Sequence, residues 1–150
     1  MKTKIFIASD HAGYEFKNKI FEYLKKDFDI DDLGPGSEAS VDYPDFADLV
    51  CQKLNSNSDS NSAAYGILIC GSGQGMAIRA NKYPFIRAAL IYNDDLAKLS
   101  REHNDANVIC IGSRYCSLED AKNWATLFLN TPFAGGRHES RVAKIGSSIS

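Results

Sequence analysis

The stretch that decides the fold is Gly66-Ile67-Leu68-Ile69-Cys70, followed directly by Gly71-Ser72-Gly73-Gln74-Gly75. Its first half is apolar at successive positions, which is typical of a parallel strand that helices cover on both faces. Its second half favours a tight turn into a helix that begins at about Gln74. The segment Val108-Ile109-Cys110-Ile111 repeats the strand pattern. Both segments indicate strands at the centre of an α/β domain.

Strand-like and helix-like segments alternate on either side of this stretch. Strands are predicted at residues 4–8, 29–33, 65–70, 87–92 and 107–112, with amphipathic helices between them and a last helix around Trp124. The fold class predicted is a Rossmann-like, three-layer α/β/α sandwich with a five-stranded parallel sheet. The polar run at 55–62 is predicted to be a mobile surface loop, because its side chains favour turns.

The composition limits the function classes. With 150 residues, 44% hydrophobic and 24% charged, residues 1–150 are predicted to form one domain. The formal charge is −2 and no basic stripe is present, which argues against a nucleic-acid partner. The apolar stretch at 5–7 is too short for a signal segment or a membrane span, so no membrane role and a cytoplasmic location are expected. Four cysteines without CxxC spacing are expected to be free thiols.

The loop after the central strand is the first candidate site. Residues 71–75 present backbone N–H groups with few obstructing side chains, and such a loop binds an anion or a developing oxyanion. Cys70, at the end of a strand and before a helix, would feel the positive end of the helix dipole, which favours its thiolate. Cys51 and Cys110 are interpreted as inert core thiols, and Cys116 as a structural one.

Further polar residues stand near the ends of other elements. Asp10 and His11 follow the first strand, and His103 and Asn104 close the helix before the fifth strand. Because ligands of doubly wound sheets lie beyond the carboxyl ends of the strands, these residues are expected to converge with Cys70. Guanidinium groups prefer phosphate, although surface arginines are usually only solvated. The arginines considered for a phosphate are Arg114, Arg137 and Arg141.

The glycine-rich loop does not match three competing motifs. Met76 stands where a dinucleotide-binding loop needs glycine and where a cysteine phosphatase would place arginine, and no Gly-Lys-Ser/Thr ending of a Walker loop is present. No histidine or carboxylate pair has a recognised metal-ligand spacing, so neither a metal nor another cofactor is expected. An isomerase with this sequence would therefore move protons rather than a hydride.

Five segments, taken together and in this order, resemble the type B ribose-5-phosphate isomerases over about residues 4–142. They are Ser9-Asp10-His11-Ala12-Gly13, Asp42-Tyr43-Pro44, Cys70-Gly71-Ser72-Gly73-Gln74-Gly75, His103-Asn104-Asp105-Ala106-Asn107 and Gly135-Gly136-Arg137-His138. The resemblance implies an enzyme of the pentose phosphate pathway that converts ribose 5-phosphate and ribulose 5-phosphate through a cis-enediolate. It also implies a homodimer with its active sites at the interface, reached by the tail of about 135–150.

The resemblance further implies individual roles. Cys70 looks like the base, His103 like the group that opens the furanose ring, and Asp10 like a contact of the sugar hydroxyls. The phosphate set would be His11, Arg114, Arg137 and Arg141, partly from the partner subunit. The enediolate set would be Asn104 and the amides of Gly71, Ser72, Gly73, Gln74 and Gly75.

The same resemblance leaves alternatives open. Another branch of the family uses a glutamate where this chain has Met76, so the chain falls in the branch that uses the cysteine. A sister isomerase of galactose 6-phosphate or allose 6-phosphate, and a non-catalytic sugar-phosphate sensor, remain rival hypotheses. The roles of Tyr43, Ser72 and His138, and pairing of dimers into tetramers, stay open.

Overall fold

The computed structural model describes residues 2–58 and 62–149. The strands are β1 (Lys4–Ser9), β2 (Asp29–Asp32), β3 (Ala64–Cys70), β4 (Ala88–Leu90) and β5 (Val108–Gly112). The helices are α1 (Tyr14–Leu24), α2 (Tyr43–Ser56), α3 (Gln74–Ala80), α4 (Asp94–Glu102), α5 (Leu118–Asn130) and α6 (His138–Ile145). All strands are parallel, in the order β2-β1-β3-β5-β4. The predicted Rossmann-like sandwich with a five-stranded parallel sheet is confirmed.

Helices cover both faces of the sheet, and the strands supply side chains to each face at alternate positions. Ile67 and Ile69 of β3 pack with buried residues of α1, α4 and α5. Leu68 and Cys70 pack with buried residues of α2 and α3 instead. The continuous apolar runs in the sequence therefore reflect strands that are buried on both faces.

The chain crosses from one face to the other between β1 and β3, which are neighbours in the sheet but not in the sequence. Helix α1 lies on one face and α2 on the other. The register pairs Ser9 with Ile69, so the residues that follow both strands start side by side. A crevice at such a switch point, beyond the carboxyl ends of the strands, is where open α/β sheets bind ligands.

The edge strand β4 is shorter than the predicted 87–92. It pairs only with β5, and the side chain of Asn81 occupies part of its outer edge. Asn81 Oδ1 accepts from the Ala88 N–H at 2.8 Å, while its Nδ2 donates to the Ala88 carbonyl at 2.9 Å. A side-chain amide thus satisfies backbone groups that a further strand would otherwise pair with.

Two segments differ from the prediction or lie beyond it. No helix or strand was predicted after the helix around Trp124, and the structure shows α6 in the tail, a helix with no buried residue. Within the predicted loop 55–62, α2 continues through Ser56, and residues 59–61 lie outside the described residues. None of the helices in the described part of the chain combines the length and apolar character of a membrane span.

Candidate active site

The loops after β1, β3 and β5 meet at the carboxyl edge of the sheet. The Asp10 N–H donates to the Ile69 carbonyl at 3.1 Å, which joins the first loop to β3. The Ser113 hydroxyl, from the loop after β5, donates to the Ala12 carbonyl at 2.8 Å. These bonds join residues far apart in sequence, so they hold the three loops together as one rim at this edge of the sheet.

Cys70 lies at the centre of this rim as the last residue of β3. Its side chain faces α2 and α3, and the residue is 5% exposed. Its carbonyl accepts a hydrogen bond from the Ser113 N–H at 2.9 Å. Helix α3 begins four residues later at Gln74, so the thiol lies near the positive end of a short helix. The thiol therefore borders the glycine-rich turn that leads into α3.

The loop between Cys70 and α3 requires glycine for steric reasons. Gly73 has a φ of 79°, and a Cβ there would lie 2.7 Å from Leu90 Cδ1. Ser72 Oγ accepts from the Gln74 N–H at 3.4 Å, so its hydroxyl helps to shape the turn. The N-cap residue Gly73 offers no side-chain acceptor, so other backbone N–H groups of this turn can bind an oxyanion.

Tyr43, whose role the sequence left open, belongs to this edge of the sheet. It is the first residue of α2 and is 39% exposed. A Cβ on Gly75 would overlap its ring and lie 2.8 Å from its hydroxyl oxygen. The tyrosine therefore packs directly on the last glycine of the loop.

Asp10 and His11 are held by backbone donors. Asp10 is 7% exposed, and its Oδ1 accepts from the Gly13 N–H at 3.0 Å just before α1. Its Oδ2 takes no hydrogen bond within the described chain, so it can accept one from a ligand. His11 is half-buried, and its Nδ1 accepts from the Val41 N–H at 3.2 Å. Because Nδ1 is an acceptor, the ring can donate only from Nε2.

Arg114 supplies a free cation at the same edge. The backbone N–H of Arg114 donates to the Gly71 carbonyl at 3.0 Å, and the side chain is exposed. A Cβ on Gly71 would lie 3.0 Å from its Nη1, so the guanidinium extends over the loop that follows Cys70. No carboxylate among residues 2–58 and 62–149 pairs with it. The group is therefore available for an anionic ligand.

The structure does not bring His103 and Asn104 to Cys70 within one chain. His103 is the C-cap of α4 and precedes β5, so it lies at the amino edge of the sheet. A helix between two parallel strands returns the chain to the edge where the next strand begins. The length of β5, about 13 Å, separates the two edges. The structure places Asp10, His11, Cys70, Gly71, Ser72, Gly73, Gln74, Gly75 and Arg114 at the carboxyl edge.

The other candidates form a second cluster at the amino edge. The Ala134 N–H donates to the Glu102 carbonyl at 3.0 Å and ties the tail to the end of α4. The His138 ring stacks on the His103 ring, with centroids 4.3 Å apart and planes inclined by 15°. Partial burial, followed by the charges of His103 and the two tail arginines, lowers the pKa of His138. The cluster comprises His103, Asn104, Arg137, His138 and Arg141.

A buried arginine fixes the turn that carries His103. Asp105 has a φ of 46°, which is uncommon for a residue with a side chain. Arg101 is 5% exposed, and its Nη1 donates to Asp105 Oδ1 at 2.8 Å and to the Ala106 carbonyl at 2.6 Å. Arg87 donates to the Asp105 carbonyl at 2.7 Å. The turn is therefore held from two sides, and His103 projects from a rigid base.

Comparison with known proteins identifies the family. The profile of the Ribose/Galactose Isomerase family matches residues 5–145. The chain belongs to the ribose/galactose isomerase family. A curated relative from Mycoplasma genitalium, called a probable ribose-5-phosphate isomerase B, is 46% identical over 147 residues, which is 97% of this chain and 95% of the relative.

Solved structures of the family share this fold over nearly the whole chain. The ribose 5-phosphate isomerase from Thermotoga maritima has a TM-score of 0.90 and 48% identity, and the match covers 96% of this chain and 97% of that one. The ribose-5-phosphate isomerase B from Mycoplasma genitalium, solved with bound ribulose-5-phosphate, has a TM-score of 0.90 and 46% identity. That match covers 97% of this chain and 95% of the other.

The other three cysteines of this ribose/galactose isomerase family member have environments that keep them as thiols. Burial raises the pKa of Cys51 to about 12 and raises that of Cys110 well above its usual value. Burial also raises the pKa of Cys116, whose Sγ donates to the Gly112 carbonyl at 3.4 Å. The structural interpretation of these thiols agrees with their surroundings.

Sequence reasoning missed several residues that shape the site. Ser113 and Val41 act through hydrogen bonds of a hydroxyl or of the backbone, and no sequence pattern predicts such bonds. Arg101 and Lys17 are buried charges on otherwise ordinary helices. Only the burial of Lys17 could have been predicted from the sequence, because Lys17 stands among the apolar positions of α1, three residues before Ile20.

Proposed function

We propose that this chain is an aldose-ketose isomerase that interconverts D-ribose 5-phosphate and D-ribulose 5-phosphate through a cis-enediolate. The observation that carries the proposal is the thiol of Cys70 at the switch-point crevice, beside an amide-rich loop and a free arginine. The family membership supports it, as does the relative that was solved with ribulose-5-phosphate. The six-carbon and sensor alternatives have no comparable observation in their favour.

In this mechanism one base serves both proton transfers. The Cys70 thiolate removes the proton from carbon 2 of the open aldose, and the same thiol returns it to carbon 1, while the hydroxyl proton on oxygen 2 passes to oxygen 1. The loop amides stabilise the negative charge that develops on the carbonyl oxygen. Met76, at the position where another branch of the family carries its glutamate, is fully buried and cannot take a proton. The proposed chemistry uses neither a metal nor another cofactor.

The remaining roles follow from the charges at each edge. Asp10 offers a carboxylate oxygen to the sugar hydroxyls, and His11 and Arg114 offer donors to the phosphate. Phosphate contacts far from the reacting carbons would hold the short open chain in register. His103 would move the proton at the ring oxygen when the furanose opens, and Asn104 would bind the enediolate.

We further propose that the enzyme is a homodimer in which each site combines two chains. The second cluster lies about 13 Å or more from Cys70 along the same sheet, too far for one short sugar phosphate to contact both. A two-fold dimer can bring the amino edge of one chain to the carboxyl edge of its partner, twice. His103, Asn104, Arg137 and Arg141 would then act on the substrate held by the partner's Cys70. The tail of the single domain, residues 135–150, would make this contact.

A cytoplasmic location fits this proposal. The substrate is an anion that does not cross a lipid bilayer readily, so its enzyme is expected where the sugar phosphate is made. A catalytic free thiol also requires a reducing compartment. Fractionation of the source cells, with isomerase activity as the marker, would test the location.

The test of the function is isomerisation in deuterated buffer. The wild-type chain should convert ribose 5-phosphate to the ketose with deuterium uptake, and should act far less on galactose 6-phosphate or allose 6-phosphate. Cys70→Ala should lose about 10³-fold or more in kcat while still binding ribose 5-phosphate, because the base serves chemistry more than affinity. Cys116→Ala is the matched control and should keep its activity. Near-normal turnover by Cys70→Ala would refute the mechanism.

A further inference from the structure

Lys17 is a buried cation to which the mechanism gives no role. It lies on α1 and is 1% exposed. Its Nζ donates to both Asp32 oxygens at 2.9 Å and to the Pro35 carbonyl at 2.8 Å. It also lies 5.1 Å from the centre of the Tyr14 ring. An ammonium group has three donors, and here each of them meets an oxygen.

These bonds fasten the start of segment 34–41, which lies in the connection between β2 and α2. Asp32 Oδ1 also accepts from the Gly34 N–H at 2.8 Å. The Gly34 carbonyl accepts from the Ser9 N–H at 3.0 Å, directly before Asp10. The Tyr14 hydroxyl donates to the Gly36 carbonyl at 3.3 Å. The segment is thus anchored to β1 and α1 by the pair of Lys17 and Asp32 together with the bonds from Ser9 and Tyr14.

The other end of segment 34–41 reaches the substrate crevice. The Val41 N–H donates to Nδ1 of His11 at 3.2 Å. A neutral imidazole carries its single proton on one nitrogen, and a nitrogen that accepts a hydrogen bond does not carry it. The Val41 N–H therefore selects the tautomer of His11 with the proton on Nε2, which leaves Nε2–H as a donor.

We propose that Lys17 is a positioning residue for phosphate binding, which acts by holding segment 34–41 so that Val41 fixes the Nε2–H tautomer of His11. The inference rests on the proposed function for the identity of the ligand. In this proposal the buried lysine orients one hydrogen-bond donor, the Nε2–H of His11, in addition to stabilising the fold. A lysine that served only the fold would leave the tautomer of His11 unchanged in any variant that still folds.

The test compares Lys17→Met with Lys19→Met in the full chain. Methionine keeps the apolar stem of Lys17 and removes its three donors, and Lys19 is an exposed lysine on the same helix. Circular dichroism establishes that each variant is folded. Long-range ¹H–¹⁵N NMR spectra then report which ring nitrogen of His11 carries the proton. We expect Nε2–H in the wild type and in Lys19→Met, and a mixture of both tautomers in Lys17→Met.

Inorganic phosphate serves as the probe for binding. Its affinity should fall roughly tenfold in Lys17→Met, since one oriented donor is lost, and should not change in Lys19→Met. A folded Lys17→Met that keeps both the Nε2–H form and the wild-type phosphate affinity overturns the proposal. A wild-type chain that does not bind phosphate overturns it as well.

A second variant covers the case in which Lys17→Met does not fold. Asp32→Asn keeps an acceptor for the Gly34 N–H and weakens only the ion pair, and the same two measurements carry the same outcomes. Neither measurement requires turnover. A wild-type chain that binds phosphate but does not isomerise ribose 5-phosphate would therefore refute the proposed function and leave this inference standing.

Discussion

Cys70 and His103 show how much of each role depends on the immediate surroundings of a side chain. Cys70 could be recognised in the sequence, because a thiol between a buried strand and a glycine-rich turn has few other uses. His103 could be listed but not understood, since its stacking partner His138 lies 35 residues further along the chain and on a helix that no pattern predicted. The tautomer of His11 depends in the same way on the backbone of Val41. Contacts of this kind arise only once the elements are packed.

The pair of His103 and His138 yields a titration prediction. Partial burial is the largest cause of the lowered pKa of His138, and the charge of His103 is the next. His103→Phe keeps a stacked ring and removes the charge, so it should raise the pKa of His138 towards its ordinary value. His103→Ala removes the charge and also the ring that covers one face of His138, and should raise the pKa further. NMR titration of the His138 ring protons measures both, and an unchanged pKa in His103→Ala would contradict the account.

At the scale of elements, the spacing of apolar residues in the sequence predicted the alternation of strands and helices well. Strands buried on both faces are uniformly apolar, and α1, α2 and α5 carry apolar stripes, so both kinds of element leave a clear signal. Helix α6 left none, because it buries no side chain in this chain. Strand β4 was overpredicted because Ile91 and Tyr92 favour strands. Its regular pairing with β5 covers only Ala88–Leu90, although the Ile91 N–H still donates to the Cys110 carbonyl at 3.0 Å.

The joint between α2 and α3 determines where the glycine loop lies, and it includes a charged clamp. Asp48 of α2 accepts from Arg79 Nε at 2.7 Å and from Nη2 at 3.0 Å, and from the Tyr83 hydroxyl at 2.8 Å. The bonds from Arg79, more than those from Tyr83, lower the pKa of Asp48. A carboxyl whose pKa is lower in the folded state stabilises the fold above its unfolded pKa, and this contribution is lost as the pH falls through the folded pKa.

Asp48→Asn should therefore reduce the free energy of unfolding near pH 7 by about 0.5–1 kcal/mol, a small value because the clamp is partly exposed and screened by solvent. The difference from the wild type should shrink as the pH falls below about 4. Urea unfolding at a series of pH values measures it. Glu38→Gln, at an exposed carboxyl without an ion pair in the described chain, is the control. A difference that is constant with pH would show that the clamp does not act through its charge.

At the scale of the whole molecule, the sequence placed the candidate residues at one edge of the sheet, whereas the structure divides them between two edges. The correction follows from topology, since a residue that precedes a parallel strand lies at the amino edge and one that follows it lies at the carboxyl edge. His103 precedes β5 and Cys70 ends β3, so the sheet separates them. Under the proposed roles, the base and the group that opens the sugar ring lie in different clusters. A dimer that joins the two edges would complete the site.

Mixing two inactive variants tests this account most directly. Cys70→Ala and His103→Asn chains are each expected to be nearly inactive on cyclic ribose 5-phosphate. If each site takes Cys70 from one chain and His103 from its partner, random re-pairing of equal amounts should restore about a quarter of the wild-type activity, because half of the dimers then hold one intact site of two. No recovery after verified exchange of subunits would show that both residues serve the same chain's site, and would contradict the account.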